Sequence, residues 1–350
     1  MLKVTVIKIA RALACLSVAR TLISLGVTVH RICWSAREIV GFIERASKKA
    51  LLVKAMRDNR DCDHISVLKI EHNRDIPGAV KNGLGSIADF NLSPDSSVVI
   101  KPNLCAIKTP ETGATTDVKV VEAIVNELKK RFGVSNISII ESDGTQVLAD
   151  MAFKLLGYER ASSKLNVKLV NLSKAPFSER EFPDNVFIKK LKVPSIIEDA
   201  DLFISVPKIK IHSDCVFTGV LKNQYGCNPY PRKTIYHKRL DDAIVDFNSI
   251  FRPDIIVVDG IVGMEGYKGP TDGVPIRMNT LIFGRDAVAV DHLICRLIGI
   301  DPNRVQYLIE AERRGIGKTN YKTIGANLDK VKVKFRCSLP KWHNLYGLFH

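Results

Sequence analysis

Continuous apolar runs, separated by segments with helical periodicity, recur along this chain and constrain its fold more than any other feature. The runs cover residues 65–70, 98–100, 137–140, 167–170, 202–206, 255–258 and 281–283. A strand with one face in water alternates apolar and polar residues, whereas a strand covered on both faces is apolar along its length. The pattern therefore predicts an α/β fold, with a mostly parallel sheet flanked by helices.

The segments between these runs carry apolar residues at helical spacing. The clearest, residues 117–131, has an apolar stripe made of Val120, Val121, Ile124, Val125 and Leu128. Further helices are predicted over residues 76–87 and 147–157, and from Asp301-Pro302 to Gly315. Residues 182–194 are predicted to form a strand or hairpin insertion, and residues 260–277 are too rich in Gly and Pro for regular structure.

Several of the predicted strands end in charged or amide side chains. Lys101 and Asn103 follow the run at 98–100, and Asp143 follows the run at 137–140. Lys208 follows the run at 202–206, and Asp259 follows the run at 255–258. Because ligands bind outside the carboxyl ends of parallel strands, we expect a ligand cleft at this edge of the sheet.

Residues 208–226, KIKIHSDCVFTGVLKNQYG, are the strongest candidate for a binding segment. If the backbone stays extended after Pro207, then Lys208, Lys210 and His212 project to one side. Two ammonium groups and an imidazole on one side are suited to an anionic ligand.

The same segment is expected to continue into a short helix. Ser213 or Asp214 would cap this helix, which would carry Lys222 and Asn223 and end near Gly226. Lys222 and Asn223 are therefore further candidates for binding the anion.

Three other segments supply candidate ligand contacts. Thr115 and Thr116 lie in the sequence GATTD, whose small residues and hydroxyls suit an oxyanion, although N-capping by Thr116 would explain them as well. Arg232 could clamp a carboxylate or phosphate, or simply lie on the surface. Glu265 lies in a glycine-rich segment that fits either a binding loop or a turn. The Walker A, G-x-G-x-x-G and G-x-S-x-G patterns are absent from the sequence.

The spacing of the histidines and cysteines limits which metal ions or clusters the chain could bind. His212 and His237, with Asp259, could hold a divalent metal or move protons, although their spacing matches no zinc motif. The eight cysteines are scattered singly and form no C-x-x-C, so the chain encodes no intrinsic iron–sulfur motif. Single cysteines in a chain of this length indicate a reducing, cytoplasmic setting.

The net charge of +15 is concentrated in the N-terminal segment. The first 55 residues hold ten Lys and Arg against two Glu, so the rest of the chain is only mildly basic. This distribution argues against nucleic-acid binding. The apolar runs of the first 34 residues are interrupted by Arg20 and are too short to span a bilayer, so membrane contact is expected only through this extension. We therefore divide the chain into an N-terminal extension (1–63), an α/β domain (64–336) and a C-terminal tail (337–350).

Seven ordered motifs between about residues 65 and 334 resemble the domain-of-unknown-function 362 family. They are KPN (101–103), GATTD (113–117), PKIKIH (207–212), LKNQYG (221–226), R…YH (232–237), VVDGIVGMEG (257–266) and GRDAVAVD (284–291). Some members of that family carry an added ferredoxin-like cysteine cluster, which this chain lacks, and this leaves a redox role to a partner. More distantly, the chain is similar to the lactate-racemase superfamily, whose members use a lysine-tethered nickel nucleotide on hydroxy acids.

The leading hypothesis is a cytoplasmic enzyme that acts on a small anionic metabolite, with or without a metal. His212, Lys208, Asp143 and Asp259 would be the catalytic residues. The substrate would contact Lys101, Asn103, Thr115, Thr116, Lys210, Lys222, Asn223, Arg232 and Glu265. One alternative is a redox accessory protein that shares an iron–sulfur or other cofactor with a protein partner, and another is a non-catalytic protein that binds a ligand or nucleic acid.

Overall fold

The predicted apolar runs form the central sheet of the protein. The structure is a computed structural model, which describes residues 63–87 and 92–337. Most of the expected N-terminal extension and C-terminal tail lies outside these described residues. The strands are β1 (Asp63–Lys69), β2 (Ser97–Pro102), β3 (Asn136–Glu141), β4 (Lys168–Asn171), β5 (Phe177–Glu181), β6 (Lys190–Pro194), β7 (Leu202–Val206), β8 (Lys208–His212), β9 (Val216–Thr218), β10 (Ile255–Glu265), β11 (Val274–Gly284) and β12 (Tyr321–Gly325).

Ten of these strands belong to one mixed, mostly parallel sheet. Its main path runs β12-β1-β11-β10-β7-β2-β3-β4, and β8 and β9 extend it beside β10. Strand β11 is antiparallel to both of its neighbours, whereas β10, β7, β2, β3 and β4 are parallel to one another. Strands β5 and β6 pair separately as an antiparallel hairpin, close to the insertion predicted over residues 182–194.

Helices cover both faces of the sheet, which confirms the predicted fold class. They are α1 (Ile76–Ile87), α2 (Val118–Phe132), α3 (Ala149–Leu155), α4 (Tyr158–Leu165), α5 (Ser195–Glu198), α6 (Val220–Gln224), α7 (Leu240–Ile250), α8 (Ala287–Ile298) and α9 (Gln306–Arg313). Adjacent residues of one strand enter different cores: Val98 and Ile100 pack with α1–α4, whereas Val99 packs with α6–α9. Burial on both faces explains why the strand sequences are apolar without alternation.

Strand β8 extends the parallel sheet beyond its carboxyl edge. Pro207 separates it from β7, and Lys208 and Lys210 pair in register with Asp259 and Met264 of β10. The extended backbone predicted for this segment is therefore confirmed. The chain then turns back as β9, in which Thr218 lies opposite Lys210.

The predicted cap of the next helix is wrong. Strand β9 intervenes after Asp214, and α6 begins only at Val220. Its first backbone N–H groups, those of Val220 and Leu221, donate to the Asp291 carboxylate at 2.7 and 2.9 Å. Gly219 makes this approach possible, because a Cβ atom there would lie 2.1 Å from Asp291 Oδ1.

The prediction that residues 260–277 lack regular structure is also wrong. Strand β10 continues to Glu265, and β11 begins at Val274. Gly260 serves close packing within the sheet, because a Cβ atom there would lie 2.9 Å from the Thr280 carbonyl oxygen. Within the described residues, no helix combines the length and apolar character needed to cross a bilayer.

Candidate functional site

A cleft of about 360 Å³ lies where β2, β3 and β8 end. It is bounded by the loops after β2 and β3, by β8, β9 and α6, and by the segments around residues 233–237 and 270–271. Four lysines line it, namely Lys101, Lys210, Lys222 and Lys233, whereas Glu141 and Asp214 are the carboxylates in its wall. Positive groups therefore outnumber negative ones at the carboxyl edge of the sheet.

Lys101, at the end of β2, forms a buried ion pair with Glu141 at the end of β3. The ammonium lies 3.0 Å from Glu141 Oε2, and Lys101 is only 1% exposed. Glu141 also accepts the backbone N–H groups of Ser142, at 2.9 Å, and Leu104, at 3.1 Å. The pair therefore joins two parallel strands and fixes the loop that follows each of them.

An amide network connects this pair to β8. Asn103 Nδ2 donates to Asn223 Oδ1 at 3.2 Å, and Lys210 Nζ donates to Asn103 Oδ1 at 3.0 Å. Lys210 Nζ also contacts the Ala114 carbonyl oxygen at 2.9 Å and Cys105 Sγ at 3.0 Å. The predicted residues Lys101, Asn103, Lys210 and Asn223 are thus brought together, from three separate segments of the chain.

The other two lysines of the cleft, Lys222 and Lys233, make contacts of a different kind. The Lys222 ammonium lies 3.8 Å from the centroid of the Tyr225 ring and has no carboxylate within ion-pair distance in the described part of the chain. Lys233 donates to Ser142 Oγ, whose hydroxyl donates in turn to the Gly226 carbonyl oxygen. Burial lowers the pKa of Lys222, and it lowers the pKa of Lys233 to about 8. Both ammonium groups are therefore poorly solvated and available to an anion.

His212 enters the cleft as a neutral ring. Burial, followed by the charges of Lys222 and Lys210, holds the pKa of His212 well below its ordinary value. Its Nδ1 accepts the backbone N–H of Asp214 at 3.1 Å, so the proton of the neutral ring lies on Nε2. His212 is therefore placed to donate a hydrogen bond from Nε2 to a ligand.

His237 lies at the rim of the same cleft. Its Nδ1 is 3.4 Å from Asp214 Oδ2, and burial together with Lys222 lowers its pKa. Among residues 63–87 and 92–337, no group of three or more His, Cys, Asp or Glu side chains is arranged to hold a metal ion. His212 and His237 thus share a cleft, and their role as metal ligands stays a prediction.

Two residues predicted to be catalytic, Lys208 and Asp259, pair with each other outside the cleft wall. Lys208 Nζ lies 3.1 Å from Asp259 Oδ2, and the two side chains are 1% and 0% exposed. Asp259 also accepts the backbone N–H of Asp117 at 2.8 Å and that of Ile261 at 3.2 Å. These contacts give the pair a structural role, in which it holds β8 against β10 and anchors the start of α2.

Asp143, Thr115 and Thr116 support the cleft loops without lining the cleft. Asp143 Oδ1 accepts the backbone N–H of Ala149, the first residue of α3, at 2.8 Å. The Thr115 hydroxyl donates to the Lys108 carbonyl oxygen at 2.6 Å. The Thr116 hydroxyl donates to the Val206 carbonyl oxygen at 2.8 Å, and it accepts the N–H of Asn103 at 2.9 Å. The predicted N-capping by Thr116 is wrong, because α2 is capped by Asp117.

Glu265 and Arg232 also lie outside the cleft wall. Glu265 binds Arg336 through the backbone N–H, at 2.7 Å, and through Nε, at 2.6 Å. It therefore ties β10 to the segment that follows β12. Arg232 is exposed, and the next residue, Lys233, enters the cleft in its place.

Sequence reasoning missed several groups in the cleft, among them Lys233, Cys105, Glu141 and the hydroxyl of Thr218. Thr218 is 3% exposed, and its Oγ1 has no hydrogen-bond partner within the described structure. Lys233 lies inside the quoted R…YH motif, and Glu141 directly follows a predicted strand, so both had a signal in the sequence. Cys105 had none. Thr218 was expected on one face of the predicted helix with Lys222, but it lies in β9 and lines the cleft from that strand.

Comparisons with known proteins place this geometry in context. The chain is 26% identical over 243 residues to a thylakoid-associated protein of Synechocystis sp., a match that covers 67% of this chain and 73% of that protein. The lactate racemase apoprotein from Thermoanaerobacterium thermosaccharolyticum aligns with a TM-score of 0.38 and 13% identity. That alignment covers 69% of this chain and 58% of the racemase chain, and at this TM-score it carries no argument about function.

The motifs quoted from the sequence lie largely within the segment that a family model matches. The model is that of a domain of unknown function, DUF362, and it matches residues 98–296. This match covers more than half of the chain. The chain therefore belongs to the DUF362 family.

Proposed function

We propose that the protein is an enzyme that acts on a small anionic metabolite bound in the lysine-lined cleft. The observation that carries this proposal is Lys222, a poorly solvated ammonium without a carboxylate partner in the described part of the chain. The hydroxyl of Thr218, which lacks a hydrogen-bond partner there, lines the same cleft. A buried hydroxyl is normally paired, so Thr218 supports a ligand with a hydrogen-bonding atom, and the Lys222 ammonium supports a negative charge on that ligand.

The cleft side chains would divide the work between binding and proton transfer. Lys222 would neutralise the anion, and Thr218 and the Nε2–H of His212 would orient it by hydrogen bonds. Lys233, whose pKa lies at about 8, would exchange a proton with the ligand near neutral pH. If a divalent metal does bind, His212 and His237 are the predicted ligands.

Calorimetric titration of the purified full chain with a panel of small mono- and dicarboxylates and inorganic phosphate tests this proposal. We expect saturable binding of at least one anion, and Lys222→Met should weaken it about tenfold or more, the worth of one charge-assisted hydrogen bond. Lys322→Met is the matched control, because Lys322 is exposed on the edge strand β12. Equal affinity in the two variants, with both folded, would contradict the proposal.

Further measurements separate an enzyme from the alternatives. NMR would monitor the bound anion for chemical change. Conversion of the anion would support an enzyme, whereas binding without conversion would support a non-catalytic ligand-binding protein. Iron and sulfide in the purified protein would instead support a redox accessory that shares a cluster with a protein partner. Binding of nucleic acid, which the charge distribution argues against, would weaken steeply with added salt.

The location of the protein belongs to the same proposal. Its singly spaced cysteines support a cytoplasmic location. The Synechocystis relative is named for its association with thylakoids, and fractionation of cells would distinguish the two locations for this chain.

A further inference from the structure

Cys105 differs from the other described cysteines in its exposure and its position. It lies in the loop after β2, is exposed, and lines the cleft. Cys215, Cys227 and Cys295 are buried, and burial raises the pKa of each of these thiols, that of Cys227 to about 12. Cys337 is partly buried. Within the described residues, the thiol best placed to meet a small molecule is therefore that of Cys105.

Two ammonium groups act on the Cys105 sulfur. Lys210 Nζ donates to Sγ at 3.0 Å, and its other partners are the neutral oxygens of Asn103 and Ala114. Lys210 is 1% exposed, and no carboxylate lies within ion-pair distance of its ammonium in the described structure. The ionisable group in contact with this ammonium is therefore the Cys105 sulfur. Lys222 also interacts electrostatically with Cys105. The Cys105 sulfur therefore lies beside positive charge in the wall of the cleft, where an anionic reagent is attracted.

An independent observation indicates that a ligand reaches this part of the cleft. Thr218 lies opposite Lys210 in the β8–β9 pairing, and both residues line the cleft together with Cys105. The Thr218 hydroxyl is buried and lacks a hydrogen-bond partner in the described structure. A polar atom of a bound molecule would satisfy it.

We propose that Cys105 is a reactive thiol that exchanges with small anionic disulfides entering the cleft. This inference rests on the proposed function, because the cationic wall is what selects an anionic reagent over a neutral one. The Cys105 thiol loses its proton to solvent, and the thiolate attacks one sulfur of the disulfide. A bond forms between Sγ and that sulfur while the original S–S bond breaks. The other half leaves as a thiolate with the electron pair and is protonated by water, so the small disulfide is the oxidant.

The test compares the reaction of the full chain with two aromatic disulfides that differ in charge. One is dianionic 5,5′-dithiobis(2-nitrobenzoate), the other neutral 2,2′-dithiodipyridine, and modification of each cysteine is followed by mass spectrometry. Among the cysteines that the structure describes, we expect Cys105 to react first, at least about tenfold faster than Cys337 with the anionic reagent, since a focused positive field raises on-rates by about 10–10³-fold. Cys105→Ser should remove this fast phase. Lys222→Met should lower the anionic-to-neutral rate ratio at Cys105, and Lys322→Met should leave it unchanged.

Two results would overturn the inference. One is a Cys105 that reacts no faster than Cys337, and the other is a rate ratio that Lys222→Met does not change. If calorimetry meanwhile shows that Lys222→Met weakens anion binding, only the thiol inference fails and the proposed function stands. If neither measurement depends on Lys222, the anion-binding cleft itself is wrong.

Discussion

Lys101 belongs to the cleft wall, yet its ammonium is committed to Glu141. The two groups are 3.0 Å apart, and both are almost completely buried. A buried pair of this kind adds little net stability over apolar residues, whereas removal of one partner leaves an uncompensated charge. The pair therefore sets the position of the cleft loops, and in the proposed function Lys222 and Lys233, rather than Lys101, bind the anion.

The first prediction concerns this pair. We expect Lys101→Met to lower the free energy of unfolding by about 3–5 kcal/mol, because Glu141 stays buried without its partner. The double variant Lys101→Met/Glu141→Gln should recover part of this loss. Urea denaturation measures both values. A single variant as stable as the unchanged protein would show that Glu141 is not held by Lys101.

The second prediction concerns the pH dependence of binding. Burial lowers the pKa of Lys233 from 10.5 to about 8, so its ammonium is present below about pH 8 and lost above it. Anion affinity should therefore fall as the pH rises through about 8, and the lowered pKa of Lys222 acts in the same direction. Calorimetry between pH 6.5 and 9.5 measures this, with Lys233→Arg as the variant whose charge persists. A fall of the same size in Lys233→Arg would assign the step to another group.

Helix α6, which carries Lys222 and Asn223, depends on a residue that is distant in sequence. Val220–Gln224 spans only five residues, too few for a stable helix in isolation. The Asp291 carboxylate holds its start, and burial raises the pKa of Asp291 to about 7 in spite of the N–H groups of Leu221 and Val220. The tertiary contact with α8 therefore positions Lys222.

The third prediction tests this contact at Gly219. A Cβ atom there would lie 2.1 Å from Asp291 Oδ1, so Gly219→Ala should displace the carboxylate and destabilise the fold by about 1–3 kcal/mol. Anion affinity should fall as well, because α6 shifts. Gly85→Ala is the matched control: Gly85 lies in α1 with nothing within 4 Å of its Cβ position, and this change should stabilise by about 0.5–1 kcal/mol. Equal stabilities of the two variants would contradict the role of Asp291.

At the level of helices and strands, the sequence predicted those elements whose boundaries follow from the pattern of their own residues. Helix α1 and strand β7 have the predicted boundaries, because their apolar spacing matches their burial. The start of α6 was not predictable, since its cap lies 71 residues away along the chain. The contacts of Lys208 and Lys210 were also beyond local pattern. The two lysines alternate with isoleucines on β8, as expected. It is the position of the neighbouring strand β10 that brings Lys208 to Asp259 and leaves Lys210 in the cleft.

For the molecule as a whole, the positions of particular lysines say more about function than the net positive charge does. The first 55 residues hold more than half of the net charge of +15, whereas the cleft is lined by four lysines of the described part of the chain. Ammonium groups from distant segments of the chain converge at the carboxyl edge of a parallel sheet. In this arrangement Lys222 and Lys233 are partly desolvated, which strengthens their attraction for an anion relative to exposed lysines.

The most direct test of this claim is to locate a simple anion on the whole protein. Crystals of the full chain would be soaked in sodium bromide, and anomalous difference density would reveal every bound ion. Within the described residues, we predict the strongest peak in the cleft, within hydrogen-bonding distance of Lys222 Nζ and Thr218 Oγ1, and its loss in Lys222→Met. Bromide bound only at exposed surface lysines, or a cleft peak that persists in Lys222→Met, would contradict the account.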